Sequence, residues 1–428
     1  MADLKSIKAY LEPRHGGRFA ALDGCRALAA LAVVVYHVSG WAQLQNTDTL
    51  LSRFQYNLGS YGVAVFFVLS GFLLYRSFVL TWFRGEDPPD PFHFLRRRVI
   101  RIFPAYIVAL TAFIASGLAS QHGVHPDYYF SLYSLTQIYR ANYYLAGLGV
   151  SWSLCVEMSF YLMLPLIAAG IRLIGRRART LPMKLQAQLI GLALLVILCL
   201  LYRALVAAPA GTSTMPQVGF WLPNYLDKFA LGMLLAVCVC WTDMGRRLPN
   251  VVREVANSGV ICWSLAGLCY FTLMMAPVES PAHALLSNST ALVLLRFGLN
   301  GLAAFFFLLP LILGDRQDSP IKRGLSWLVP MYLGTVSYGI FLWHPIWLSL
   351  LGDPNRVGAN WSFWPMLVAV LTLTILSASA SYYLIERPAM ALREPRARRI
   401  RRVPALAALE PEGTPGPNLP PATPTAPD

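Results

Sequence analysis

The sequence predicts an all-α, polytopic membrane bundle of about ten transmembrane helices, with both termini cytoplasmic. Three observations carry that prediction. Of 428 residues, 56% are hydrophobic and 13% charged, a balance far from that of soluble globular chains. The apolar residues gather into ten runs, near 26–44, 61–83, 102–120, 152–171, 185–207, 223–242, 256–275, 292–314, 327–351 and 362–384. Each is close to the length that crosses a hydrocarbon core of roughly 30 Å. Finally, with the N-terminus placed in the cytoplasm, 28 of the 35 Lys and Arg residues fall on that side, the asymmetry that orients membrane helices. Only Arg53, Arg76, Arg140, Arg203, Lys228, Arg296 and Arg356 fall elsewhere.

The domain reading is simple. A cytoplasmic segment covers 1–20, a membrane domain 21–390, and a disordered cytoplasmic tail rich in Pro, Ala and Thr covers 391–428. A cell (plasma or inner) membrane is the expected location. The formal charge of +14 would point to nucleic acid in a soluble chain. Here the basic residues stand between apolar runs, so membrane lipids are expected as partners and nucleic acid is not. Seven cysteines without a CxxC argue against a disulfide framework or a zinc site, and no metal is expected.

The first run, Leu22 to His37, organises the rest. Arg26 stands at its entrance and His37 eleven residues on. At about 100° per residue these two share one helix face roughly 16 Å apart. Arg26 then sits at the basic surface and His37 near mid-depth, where ionisable side chains face a protein interior or a wet cavity and have functional roles. Asp23 is expected as the N-cap. In the third run Arg98 and Arg101 lie three apart on one helical side, ahead of Pro104. Ordinary positive-inside topology accounts for the cluster, and so does an anion site.

Glu157 lies five residues inside the fourth run, about 7 Å below the outer surface if Trp152 marks that surface. That depth matches His37. A carboxylate there holds and stabilises an imidazole, or pairs with an arginine or a hydroxyl; both readings fit. Ser337, Phe341 and His344 follow i, i+4, i+7 spacing in the ninth run, before Pro345. Helix packing by Ser337 and Tyr338, with His344 bonded to a freed carbonyl, competes with a role toward an incoming molecule. The aromatic segment 122–150 reads either as an interfacial belt or as rings that stack on sugars.

Six stretches in order resemble the acyltransferase-3 family of integral membrane O-acyltransferases. They are LDGCRALAALAVVVYH from Leu22, YGVAVFFVLSGFLLY from Tyr61, FLRRRVIRIFPAY from Phe94, WSLCVEMSFYLMLPL from Trp152, LGTVSYGIFLWHP from Leu333 and LIERP from Leu384. The resemblance runs over about 20–390. It implies transfer of a short acyl group, acetyl foremost, from cytoplasmic acyl-CoA to a hydroxyl of a glycan, a lipid-linked sugar or a glycosylated metabolite. Within that expectation His37 and Glu157 are the catalytic candidates. Arg26, Arg98 and Arg101 are the candidates for the phosphates of acyl-CoA, since Arg suits bidentate phosphate binding. Trp152, Tyr338 and His344 are the candidates for the acceptor. The competing class is a proton-coupled transporter of an anionic metabolite, with the same buried His, Glu and Arg residues forming a relay.

Overall fold

The computed structural model describes residues 21–42, 44, 49–121, 123–141, 143–207, 215–276, 290–314, 319–353 and 361–391. The segment 1–20 and nearly all of the tail expected over 391–428 lie outside these. Among the described residues there is no strand. Each of the ten apolar runs is helical where described. The principal helices are α1 (Ala21–Trp41), α2 (Leu50–Arg84), α3 (Pro91–Ala115), α4 (Trp152–Ile174), α5 (Leu181–Tyr202) and α6 (Leu226–Asp243). After these come α7 (Asn250–Asn257), α8 (Gly259–Met275), α9 (Thr290–Ile312), α10 (Leu328–Thr335), α11 (Ser337–Gly352) and α12 (Phe363–Ser381). Among the described residues eight helical stretches are long and apolar enough to cross a membrane, and the pair α7–α8, bent by 81°, makes nine.

The remaining run, 327–351, is not one straight span. It breaks at Val336 into α10 and α11. Around the break, Thr335 Oγ1 donates to the Met331 carbonyl and Ser337 Oγ to the Gly334 carbonyl, at 2.9 and 2.7 Å. Hydroxyls that bond back to the preceding turn bend helices in this way. Hydropathy is blind to such a bend.

Local chemistry sets the other ends. Thr49 and Ser52 form a reciprocal capping box at the start of α2, and Gly85, at φ 76°, closes it in the left-handed conformation that glycine adopts without strain. Asp90 caps α3 through the Phe92 and His93 amides, with Pro91 in its first turn. Asp23, expected as an N-cap, lies inside α1 and instead pairs with Arg26 at 2.9 Å.

Helix α2 is the hub, packed most extensively on α6 and α1. A Cβ on Gly232 of α6 would overlap the Val68 carbonyl, and one on Gly71 of α2 would overlap that of Phe229. Small residues therefore bring these two backbones together, as membrane helices without a hydrophobic drive toward each other require. Helix α1 runs antiparallel to α2, with Tyr36 against Gly59 and Ala29 against Gly62. Helix α11 runs alongside α1 in the same direction: His344 meets His37 and Gly352 meets Trp41.

The bundle thus has two distinct ends. At the basic end Arg172 donates to Thr81 Oγ1 and Lys184 to the Trp82 carbonyl. Arg26 and the start of α3 belong to the same end. His37 belongs to the other half.

Candidate active site

His37 is fixed before any substrate arrives. Its Nδ1 lies 2.8 Å from the Val33 carbonyl oxygen, one turn back. That oxygen can only accept, so Nδ1 carries the hydrogen and Nε2 the lone pair. His344 of α11 is fully buried, and its Nδ1 lies 3.0 Å from the Ile340 carbonyl. By the same reasoning His344 Nε2 is an acceptor, and it lies 3.4 Å from His37 Nδ1. The two rings stand 5.1 Å apart at 50°. A proton gained at His37 Nε2 strengthens both Nδ1 contacts, because the donor becomes cationic.

His37 opens on a cavity of about 380 Å³, within the range of small-molecule sites. Helices α1, α2, α4, α6 and α9 all contribute to its wall. Aromatic faces come from Tyr36, Tyr56, Phe67, Trp152, Phe220, Tyr225 and Phe297, and polar groups from Asn57, Ser60, Lys228, Arg296 and Asn300. Trp152 is one of the predicted acceptor residues, and it does line this space. It is not at a surface: its indole packs between Phe220 and Tyr225, with centroids at 5.2 and 5.5 Å. From the segment before α4, Leu145, Gly149 and Val150 belong to the same cavity wall.

That placement corrects the depth assigned to Glu157. Five residues on from Trp152, Glu157 lies toward the basic end, beside Ser70 of α2. Its Oε1 accepts from Ser70 at 2.5 Å, and Tyr161, Arg101 and Arg26 are its electrostatic neighbours. So Glu157 joins the arginines and a hydroxyl, the second of its two readings, while His37 has Val33 and His344 as its hydrogen-bonding neighbours. Tyr338 is also on the Glu157 side. Its hydroxyl donates to the Ile102 carbonyl of α3 at 2.8 Å, and Glu157, Tyr161 and Glu386 are among its electrostatic neighbours. Of the three predicted acceptor residues, then, Trp152 lines the cavity, His344 lies behind His37, and Tyr338 ties α11 to α3.

Arg26, Arg98 and Arg101 gather round the same carboxylate and phenol. Arg26 and Arg101 repel one another, and Tyr161 interacts with Arg98 and Arg101. Arg101 is exposed and Arg98 half-buried, its guanidinium 5.7 Å from the Phe94 ring. These arginines stand among three carboxylates: Glu157, Asp23, which pairs with Arg26, and Glu386, which interacts with the charge of Arg101; guanidinium groups gathered at one mouth of the bundle suit an anion.

Sequence reasoning missed two buried cations that share one carboxylate, of which Lys228 lines the cavity. Lys228, at the start of α6, is buried with its Nζ 3.4 Å from Asp227 Oδ1 and 3.3 Å from the Phe297 carbonyl. Arg203, wholly buried, reaches Asp227 Oδ2 at 3.1 Å and Asn224 Oδ1 at 3.0 Å, and its guanidinium lies over the Phe297 ring at 4.5 Å. A signal existed: Arg203, Lys228 and Arg296 are three of the seven basic residues that break the charge asymmetry. A cation that breaks the asymmetry needs a local reason: Lys228 and Arg296 line the cavity, and Arg203 is held by Asp227 and Asn224.

A family model described as "Acyltransferase domain" matches residues 19–385. Bacillus subtilis YrhL, which carries the name of a peptidoglycan O-acetyltransferase, is 27% identical over 89% of this chain and 56% of its own length. The O-acetyltransferase OatA of Staphylococcus aureus is 22% identical over 90% of this chain and 59% of its own. Nodulation protein 10 of Rhizobium leguminosarum bv. viciae is 27% identical over 87% of this chain and 93% of its own. The chain therefore spans a little over half the length of the first two relatives. No solved structure matches it. With the family match running from the start of α1 to the end of α12, the chain belongs to the acyltransferase-3 family of multi-pass membrane proteins.

Proposed function

We propose that this protein is a membrane-bound O-acyltransferase that moves a short acyl group, acetyl foremost, from acyl-CoA to a hydroxyl of a glycan or glycosylated metabolite. The observation that carries the reading is His37: a neutral imidazole whose Nδ1 is committed to Val33, leaving a basic Nε2 on the wall of a cavity. General bases in enzymes have this form. In the proposed step His37 Nε2 takes the proton of the acceptor hydroxyl as its oxygen attacks the thioester carbonyl carbon. The C–O bond forms, the C–S bond breaks, and the sulfur leaves as thiolate to take up a proton. His344 steadies the imidazolium meanwhile. Arg26, Arg98 and Arg101 bind the donor phosphates, and Glu157 holds those arginines apart and in place. The two sites are joined by α1, along which Arg26 and His37 are about 16 Å apart.

The direct test uses purified protein in lipid nanodiscs with acetyl-CoA and a panel of sugar acceptors, reading free thiol. Acceptor-dependent thiol release is the expected result. No release with any acceptor, together with solute uptake into proteoliposomes, would replace the enzyme by the transporter.

The proposed orientation in the plasma membrane places the basic end in the cytoplasm, where acyl-CoA is made. Reporters fused after Glu86 and after Arg177 should then read cytoplasmic, and one fused after Leu145 should read extracytoplasmic. An extracytoplasmic signal at either of the first two sites reverses the assignment.

A further inference from the structure

The charge on the cavity wall does not balance. Among the described residues Lys228 and Arg203 share the carboxylate of Asp227, so with both protonated this buried cluster carries one positive charge in excess. None of the described residues lining the cavity is acidic. Buried cations are kept where something compensates them, since desolvating a charge is costly. The cluster is also built rather than incidental. Lys228 is 3% exposed, its ammonium is held by Asp227 and the Phe297 carbonyl, and it lies 4.9 Å from the centre of the Phe297 ring.

A second observation points to a ligand with hydroxyl groups. Asn300, 5% exposed, donates its amide to Ser60 Oγ at 3.0 Å, but among the described residues its side-chain oxygen has no hydrogen-bond partner. Buried amide oxygens are rarely left so, and this side chain lines the cavity. An acceptor oxygen and an excess cation in one cavity wall, together with aromatic faces, are complementary to a polyhydroxylated ring bearing a negative substituent.

We propose that the cavity binds an anionic sugar, whose carboxylate or phosphate lies against Lys228 and whose hydroxyl donates to Asn300. Naming that sugar as the acceptor rests on the acyl-transfer reading; the binding itself does not. Charge then selects among acceptors. A neutral sugar leaves the wall charge uncompensated, so the site discriminates against it by the charged group it lacks rather than by fit.

The test is equilibrium binding, without donor, to the full chain in nanodiscs, using glucose, glucuronic acid and glucose 1-phosphate. At least one of the two anionic sugars should bind tenfold or more tighter than glucose, and the tighter one identifies carboxylate or phosphate as the recognised group. Lys228→Gln should bring the preference to within about threefold, and Lys228→Arg should keep it. Asn300→Asp, which leaves the Asp227 cluster intact and places a negative charge in the wall, should weaken the anionic sugar tenfold or more and so tests the idea should Lys228→Gln fail to fold. Equal affinity of the wild type for all three sugars overturns the proposal. Thiol release is read separately: its failure in a protein that prefers anionic sugars counts against acyl transfer alone.

Discussion

His37→Ala removes acceptor-dependent thiol release, with a loss of about 10² to 10⁴ in rate, the range that general-base catalysis supplies. The loss falls on kcat, because His37 acts on the hydroxyl proton in the transition state and contributes little to holding either substrate. Coenzyme A binding persists, since the arginines lie at the other end of α1. His344→Phe separates the base from its support. Phenylalanine fills the buried site but offers no lone pair to His37 Nδ1, so kcat falls by less than in His37→Ala and the acidic limb of the pH–rate profile, where the base becomes protonated, moves. Steady-state kinetics on both variants against pH make the measurement. Wild-type turnover in His37→Ala rejects the base; a wild-type pH profile in His344→Phe confines His344 to packing.

The parts of this molecule that were legible in the sequence are those set by chemistry along one helix. Hydropathy places the spans because a bilayer leaves backbone polar groups no partner except their own helix. The Arg26–His37 pairing is legible because eleven residues make about three turns. What was not legible depends on how helices pass one another. The depth of Glu157 holds in the sequence only if Trp152 marks the outer surface; in the structure Trp152 packs on Phe220 in the cavity wall, and Glu157 lies with the arginines. The His37–His344 contact joins residues 307 apart in sequence, and no periodicity within either helix reports it. The break at Val336 likewise depends on two hydroxyls turning back on their own helix, and an averaged hydropathy window does not register it. Lys228 and Arg203 lay between the two cases: their side of the membrane was readable, but their shared carboxylate and their cavity were not.

Glu157→Gln is the substitution that decides between the two ends of α1. The glutamine keeps the shape and a hydrogen bond for Ser70, but removes the negative charge that Arg26 and Arg101 share. If Glu157 positions those arginines for the donor, the change alters the acyl-CoA KM and leaves kcat at saturating donor within a few-fold. Arg101→Ala should move the same parameter further, weakening acyl-CoA about tenfold or more, because a charge-assisted hydrogen bond to a phosphate is among the stronger polar contacts. The two variants combined should be non-additive, since they act on one ion-paired cluster. Kinetics with acetyl-CoA varied at fixed acceptor, beside CoA binding by calorimetry, gives both quantities. A Glu157→Gln protein that binds CoA normally yet loses kcat as completely as His37→Ala would instead put the carboxylate at the imidazole, and the arrangement of the site drawn above would be wrong.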